Sequence, residues 1–372
     1  MSASAFQYEL IELVEDLEKY QPGGYHPVCI GDRLHNRYCI VHKLGHGNFS
    51  TVWLAHDQQM QQYVAVKVGI ADAPSRETDT LKYLTEVINA SSQPLTGAAM
   101  IPMVKDYFTI TGPNGNHPCL VTSPARCSLS DSKQEGGRGL FQLEVSRSLA
   151  AQLILAVCFV HSQGYCHGDL HLGNLLLQLP SSMNDLTVDE LYNKVAAPMP
   201  QPVVRIDGRP YSVKPGVPSH VNLPVWLGEE DGDITPNEAK LLLSDFGTAF
   251  RPSDNSTFKS QTPLAIRPPE VLLEPGMPLS FGSDIWSLGC VIFELFAHTS
   301  LFDGFMTPAG RFGSWEKRFE DSVQDARRSY GYPVVSDREK SELLQLLRRM
   351  LTWKPTDRPS AEQVLEMDWV RN

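Results

Sequence analysis

Apolar and polar positions along the chain fall into two regimes. Residues 38–55, Y-C-I-V-H-K-L-G-H-G-N-F-S-T-V-W-L-A, read as strand, glycine turn, strand, and residues 63–68 read as a further strand with V-A-V-K at its centre. Two more strands are expected at 102–108 and 118–122, around the turn G-P-N-G-N. One helix interrupts them at 75–88, with Leu81, Leu84 and Ile88 at helical spacing. Beyond Ser123-Pro124-Ala125 the pattern turns helical: 141–162 carries Leu149, Leu153, Ile154, Val157 and Val160 on one face, and apolar helices follow at 283–296 and 343–351. The spacing of Phe6, Leu10, Leu13, Val14 and Leu17 predicts another helix within residues 5–20, closed by Pro22-Gly23-Gly24.

The expected organisation is an N-terminal extension (1–35), a small strand-rich lobe (36–123) and a larger helical lobe (124–372). Residues 178–240 have nine acids, five bases, many prolines and no long periodic segment, and read as an insertion in the helical lobe, ordered around L-T-V-D-E-L-Y and L-P-V-W-L. The chain's 372 residues suffice for one large core or two joined ones. A net charge of −11 argues against direct nucleic-acid binding and permits a basic partner. The seven Cys form no C-x-x-C, which fits reduced thiols in the cytoplasm or nucleus and excludes a zinc ribbon. No secretory signal is visible, and the apolar run 149–160 is too short to span a bilayer.

Residues 166–177, C-H-G-D-L-H-L-G-N-L-L-L, place Asp169 and Asn174 five positions apart before an apolar run. Phosphoryl transfer to a hydroxyl uses such a pair: a carboxylate to orient the hydroxyl proton, and an amide oxygen to help hold a metal. Gly45-x-Gly47 in a turn between strands lets backbone amides approach phosphates, although an ordinary hairpin uses the same residues. Lys67, 22 residues after Gly45, is either an edge lysine reaching for water or an ammonium aimed at phosphates. For the second role Glu77 is the leading partner and Asp79 the next. Leu241-Leu242-Leu243-Ser244-Asp245-Phe246-Gly247 reads as a strand delivering a further carboxylate.

Together, G-H-G-N-F-S, V-A-V-K, Glu77, H-G-D-x-x-x-x-N, D-F-G, P-P-E, S-D-I-W-S-L-G and D-R-P-S-A resemble the eukaryotic protein kinases, in their order, from about residue 36 to 372. G-G-Y-H-P-V-x-I-G-D, G-x-G-x-F-S-T-V-W and the 76-residue distance from Asp169 to Asp245 resemble, more narrowly, a divergent fungal-type serine/arginine-rich protein kinase.

The resemblance implies an α+β bilobal fold: a small antiparallel β-sheet lobe with one main helix, a larger mostly helical lobe, and ATP in the cleft between them. It assigns Leu44, Gly45, Gly47, Ser50, Val52, Ala65, Lys67, Thr122, Ser123 and Ala125 to nucleotide binding. Asp169, Lys67, Glu77 and His171 become catalytic, and Asn174 and Asp245 ligate Mg²⁺. Glu270 would pair with Arg358, and Asp284 would anchor the catalytic loop. The implied partner is a protein, basic or Arg/Ser-rich in the narrower reading, with no nucleic acid or membrane, and the chain is expected to be a monomer.

Four positions depart from the pattern. Ser50 replaces a glycine, as in the serine/arginine group, and Pro263 stands in the substrate loop. Gly168 replaces an arginine, leaving no cation beside Asp169 for a loop phosphate at Ser253, Ser256, Thr257, Ser260 or Thr262 to meet. His171 replaces a lysine, and a histidine is neutral for much of the time near pH 7, which implies a lower or more pH-dependent rate. Residues 303–340 hold seven acids and seven bases, so they display no acidic docking surface. His46, His56 and His161 read as ordinary surface or core histidines.

Two other readings compete. H-G-D-L-H-x-G-N also resembles aminoglycoside and choline phosphotransferases, which are not expected to carry P-P-E, S-D-I-W-S-L-G and D-R-P-S-A. A scaffold without activity would need neither the base nor the metal ligands.

Overall fold

The computed structural model describes residues 6–207, 216–254, 257–302 and 314–371. They cluster into two compact units. The first, the sheet unit, takes residues up to Asp79, Met103–Ala125 and Leu179–Leu227; the second, the helical unit, takes Thr80–Pro102, Arg126–Gln178 and Gly228 onward.

The sheet unit is built on six antiparallel strands: β1 (Arg33–Leu34), β2 (Tyr38–Gly47), β3 (Ser50–Asp57), β4 (Gln62–Gly69), β5 (Asp106–Gly112) and β6 (Gly115–Thr122), in the order β1-β2-β3-β4-β6-β5. Alternation gives the sheet two different faces. Trp53, Ala55, Val64, Val66, Val68, Cys119 and Val121 point into a core shared with Val28 and Tyr38. The intervening residues face the other way, and register aligns them: Gly45 with Val52, Val52 with Lys67, and Ala65 with Thr122. Helix α1 (Arg76–Ala90) starts with Glu77 in its first turn and passes into the helical unit at Thr80.

In the helical unit, strand β7 (Ala125–Ser128) leads into α2 (Leu129–Glu135), which a reciprocal Ser128–Asp131 capping box starts. The core helix α3 (Leu143–Ser162) buries Leu149, Leu153, Ile154, Val157 and Val160 as its periodicity requires. It is long and apolar enough to cross a membrane by composition, but it is largely buried here. Strand β8 (Leu175–Gln178) follows the catalytic stretch.

The insertion was expected within the helical lobe, yet residues 179–227 belong to the sheet unit. Helix α4 (Val188–Val195), capped by Thr187 and Glu190, buries Leu191 beside Met183 and Leu227 against Val41, Leu54 and Tyr63 of the sheet. Backbone and side chain cooperate there: Tyr63 N–H donates to Asn184 Oδ1 at 2.8 Å, and Tyr192 O–H to the Val41 carbonyl at 2.8 Å. Two short strands, β9 (Pro200–Pro202) and β10 (His220–Asn222), pair antiparallel.

Among the described residues, from Phe6 on, the helix expected at 5–20 does not form, and they hold a single 3-10 turn at Leu17–Lys19. Tertiary contacts override its periodicity. Tyr8 bridges to Arg205, Leu13 adopts φ +65°, and Tyr8, Leu17 and Tyr20 pack with Val203, Val217 and Val221. Glu15 is buried against Lys43 and Tyr20, pairings that a surface helix would not make.

The helical unit continues with β11 (Leu241–Leu243), which pairs with β8, then α5 (Glu270–Leu273) and the buried α6 (Phe281–Phe296). Short helices α7 (Trp315–Phe319) and α8 (Asp325–Ser329) flank a π turn, and α9 (Asp337–Met350), α10 (Ala361–Leu365) and α11 (Asp368–Arg371) follow. Arg358 and Glu270 form the expected buried bridge, with two contacts of 2.9 and 2.7 Å. All seven cysteines are free.

Candidate active site

In the sheet unit, the residues expected to bind nucleotide line one face. Side chains of directly paired residues in an antiparallel sheet share a face, so Val52, Ala65, Lys67 and Thr122 project together. Leu44, Gly45, Gly47 and Ser50 border them at the turn between β2 and β3. Ser123 follows β6, and Ala125 ends the stretch Met103–Ala125 of this unit. Lys67 Nζ contacts both carboxylate oxygens of Glu77, at 2.8 and 2.7 Å. Asp79, the other candidate, instead accepts from Ser75 Oγ. The lysine is therefore held by a carboxylate and is not an edge residue reaching for water.

Gly45 and Gly47 lie outside the left-handed region, and a Cβ added to either would meet no atom within 4 Å. Packing and backbone conformation leave their glycine identity unexplained, and without a Cβ their backbone amides stay open to close approach by a ligand.

The N-terminal segment supplies residues that sequence reasoning missed. Tyr25 O–H donates to the Gly47 carbonyl at 2.8 Å, so a residue 22 positions upstream holds the glycine turn. Lys43, two residues before Gly45, is fully buried on Glu15 and lies near the Trp53 ring. Burial pushes the Lys43 ammonium below its usual range, with Glu15 opposing the shift.

The helical unit carries the catalytic stretch. Leu175 pairs with Leu243, so Asn174 and Asp245 emerge side by side where β8 and β11 meet the loops. Ser244 N–H and Oγ both bond the Asn174 carbonyl, at 2.8 and 2.9 Å. Asn174 Nδ2 donates to the Asp169 carbonyl at 2.9 Å and reaches its Oδ2 at 3.3 Å. Asp169 Oδ1 is buried without a partner. Asp245 sits at φ +61°, a costly conformation for a residue other than glycine, with Oδ1 accepting from Gly247 N–H.

His171 Nδ1 accepts from Gly173 N–H at 3.1 Å, which leaves the ring proton on Nε2, 3.6 Å from Asp169 Oδ2. A cavity of about 560 Å³ opens beside His171, bounded by Lys133, Pro263, Ile266, Glu294 and Arg318.

Asp284 is the anchor beneath this loop, accepting from the backbone N–H groups of His167 (2.7 Å) and Gly168 (2.9 Å). His161 also contacts it, at 3.0 Å, so this histidine is part of the loop's support and not an ordinary core residue. Burial alone would push the Asp284 carboxyl up, but the His161 contact and the backbone donors bring it below its usual range. His167 donates through Nε2 to the Ser244 carbonyl and meets Phe246 edge-on, tying the two loops together.

An oxygen-donor pair, Asn174 and Asp245, suits a hard divalent cation. The unpartnered Asp169 oxygen is placed to accept a proton, and the open faces of Gly45 and Gly47 admit phosphates. The residues present fit ATP with a divalent metal.

Comparison with known proteins agrees. The protein kinase domain family matches residues 38–187 and 233–370, skipping most of the insertion. A serine/threonine protein kinase of Aspergillus fumigatus is 27% identical over 96% of this chain and 90% of its own length. Serine/threonine-protein kinase SRPK of Physarum polycephalum is 29% identical over 77% of this chain and 67% of its own, and protein kinase dsk1 of Schizosaccharomyces pombe is 37% identical over 44% and 30%. Among solved structures, the PF14_0431 kinase domain superposes with a TM-score of 0.58 at 19% identity, covering 93% of this chain and 98% of that one, a likeness of fold. The chain belongs to the protein kinase domain family and is a protein serine/threonine kinase, a divergent member similar to the serine/arginine-rich protein kinases.

Proposed function

We propose that this kinase phosphorylates basic, Arg/Ser-rich proteins with Mg²⁺ as its metal, and that its site residues act as follows. Asp169 orients the acceptor hydroxyl and takes its proton; the buried, unpartnered Oδ1 is the observation that carries this role. Lys67, fixed by Glu77, holds the nucleotide's α/β-phosphates, and the Gly45–Gly47 turn covers them. Asn174 and Asp245 hold the metal. His171 presents Nε2–H beside Asp169 where the family pattern has an ammonium. Bound Mg²⁺·ATP supplies the transferable phosphoryl group and neutralises charge on it.

The Arg/Ser class is supported by the net charge of −11 and by the resemblance to the serine/arginine-rich protein kinases. The cavity beside His171 adds no acidic preference, because Glu294 is accompanied by Lys133 and Arg318. Monomeric state, a cytoplasmic or nuclear location, and independence from membranes and nucleic acid complete the proposal.

Transfer of labelled γ-phosphate to an Arg-Ser repeat peptide, a Lys-Ser repeat peptide and an acidic protein acceptor tests the substrate class. Preference for the Arg-Ser peptide over the Lys-Ser peptide by about tenfold or more is expected. Equal labelling of the two, or labelling of the acidic acceptor alone, contradicts it.

A further inference from the structure

Arg251 lies six residues after Asp245, and none of the roles above uses it. Its neighbour Phe250 exchanges backbone hydrogen bonds with Cys166, at 2.8 and 3.1 Å, which sets Arg251 opposite Tyr165 at the entry to the catalytic loop. The guanidinium carbon is 4.1 Å from the Tyr165 ring centroid and 5.1 Å from that of Tyr83. The rings themselves are 5.6 Å apart, tilted by 52°. Close beside the guanidinium is Gly164, where a Cβ would come within 3.2 Å of Nη1. All three side chains are half-buried, so water weakens the cation–π attraction only in part.

Tyr83 belongs to α1, the helix whose first turn carries Glu77. A helix transmits position along its axis, and six residues span only about 9 Å. Gly168 stands where the family pattern has an arginine beside Asp169, so position 168 offers no cation between the loops. We propose that Arg251 is a positioning residue that clamps α1 to the catalytic loop through the rings of Tyr83 and Tyr165, and thereby keeps Glu77 on Lys67. The clamp is part of the polypeptide and does not wait for a phosphate.

The inference rests on the kinase reading for its catalytic consequence, but the clamp itself can be measured without a substrate. Amide hydrogen exchange on the full chain compares wild type with Arg251→Ala, Tyr83→Leu and Tyr83→Phe. Exchange across residues 76–90 should rise about tenfold in the first two variants and stay near wild type in Tyr83→Phe, which keeps a ring face. Exchange in α9 should not change, which separates clamp release from general unfolding. Wild-type exchange in α1 of Arg251→Ala overturns the proposal.

A kinetic cycle supplies the second measurement. Arg251→Ala should lower kcat/KM for ATP about tenfold in the wild-type background and less than twofold when Glu77→Gln has already broken the lysine pair. Multiplicative losses would mean that Arg251 does not act through Glu77, and would also overturn it. Absence of transfer from wild type to any acceptor would instead count against the kinase reading, and the exchange data would still decide the clamp.

Discussion

At Gly45 and Gly47 a methyl group would point into open space, so the folded chain has no need of glycine at either position. Replacing each by Ala should leave the melting temperature within about 2 °C of wild type, while KM for ATP rises about tenfold or more; an unchanged KM would mean that phosphates do not approach these amides. His26 makes the pH prediction. Its ring lies 4.8 Å from that of His117, and burial, reinforced by His117 and opposed by Asp32, lowers its pKa to about 4 from an ordinary 6.5. The folded state therefore binds this proton less readily than the unfolded chain. Its contribution is complete above pH 6.5 and is lost as pH falls toward 4, most of it between pH 7.5 and 5, and solvent around the half-buried ring makes the loss smaller than the full shift implies. Urea unfolding at those two pH values should show that loss in wild type, and His26→Gln should remove most of it. These residue identities were legible in unequal degree. Gly45, Lys67, Asp169 and Asn174 stand in patterned stretches, whereas His26, His161 and Tyr25 act through contacts with residues far away in sequence, which no local pattern encodes.

Strand and helix placement followed from alternation and spacing wherever an element buries one face. Residues 38–68 became β2, β3 and β4, and 141–162 became α3, because the same side chains that set the pattern fill the cores. Residues 5–20 failed that test for a physical reason: their apolar residues divide between buried Tyr8, Leu17 and Tyr20 and exposed Phe6, Leu10 and Leu13, while the buried Glu15 needs Lys43. The sequence pattern also could not reveal that residues 179–227 join the sheet unit, since Met183 and Leu191 find their partners more than 100 positions upstream. The α5–α6 region provides the stability prediction at this scale. Arg358 reaches Glu270, the Gly282 carbonyl and the Thr352 and Trp353 carbonyls. Arg358→Ala leaves the Glu270 carboxylate buried without its cation and should cost about 3–5 kcal/mol in urea unfolding; a loss below 1 kcal/mol would show that the bridge is dispensable. Replacing both residues by apolar ones of similar volume should recover much of the loss.

For the molecule as a whole, the order of motifs identified a kinase, while regulation and substrate choice depend on what surrounds them. Gly168 and the Arg251 clamp together predict that activity needs no phosphate on the segment between Phe250 and Pro263. Protein treated with phosphatase, or with Ser253, Thr257, Ser260 and Thr262 changed to Ala, should keep at least half of its turnover; strict dependence on a loop phosphate would refute this. Ser256, also expected as a site, lies outside the described residues. The most direct test of the central claim is transfer of labelled γ-phosphate from ATP, with Asp169→Asn as the matched control and peptide, protein, amino-alcohol and aminoglycoside acceptors in parallel. Labelled phosphoserine or phosphothreonine in a peptide or protein, falling about 100-fold or more in Asp169→Asn while nucleotide binding persists, is the predicted result. Label in a small molecule alone, or transfer to protein that survives Asp169→Asn unchanged, would contradict the assignment of this site.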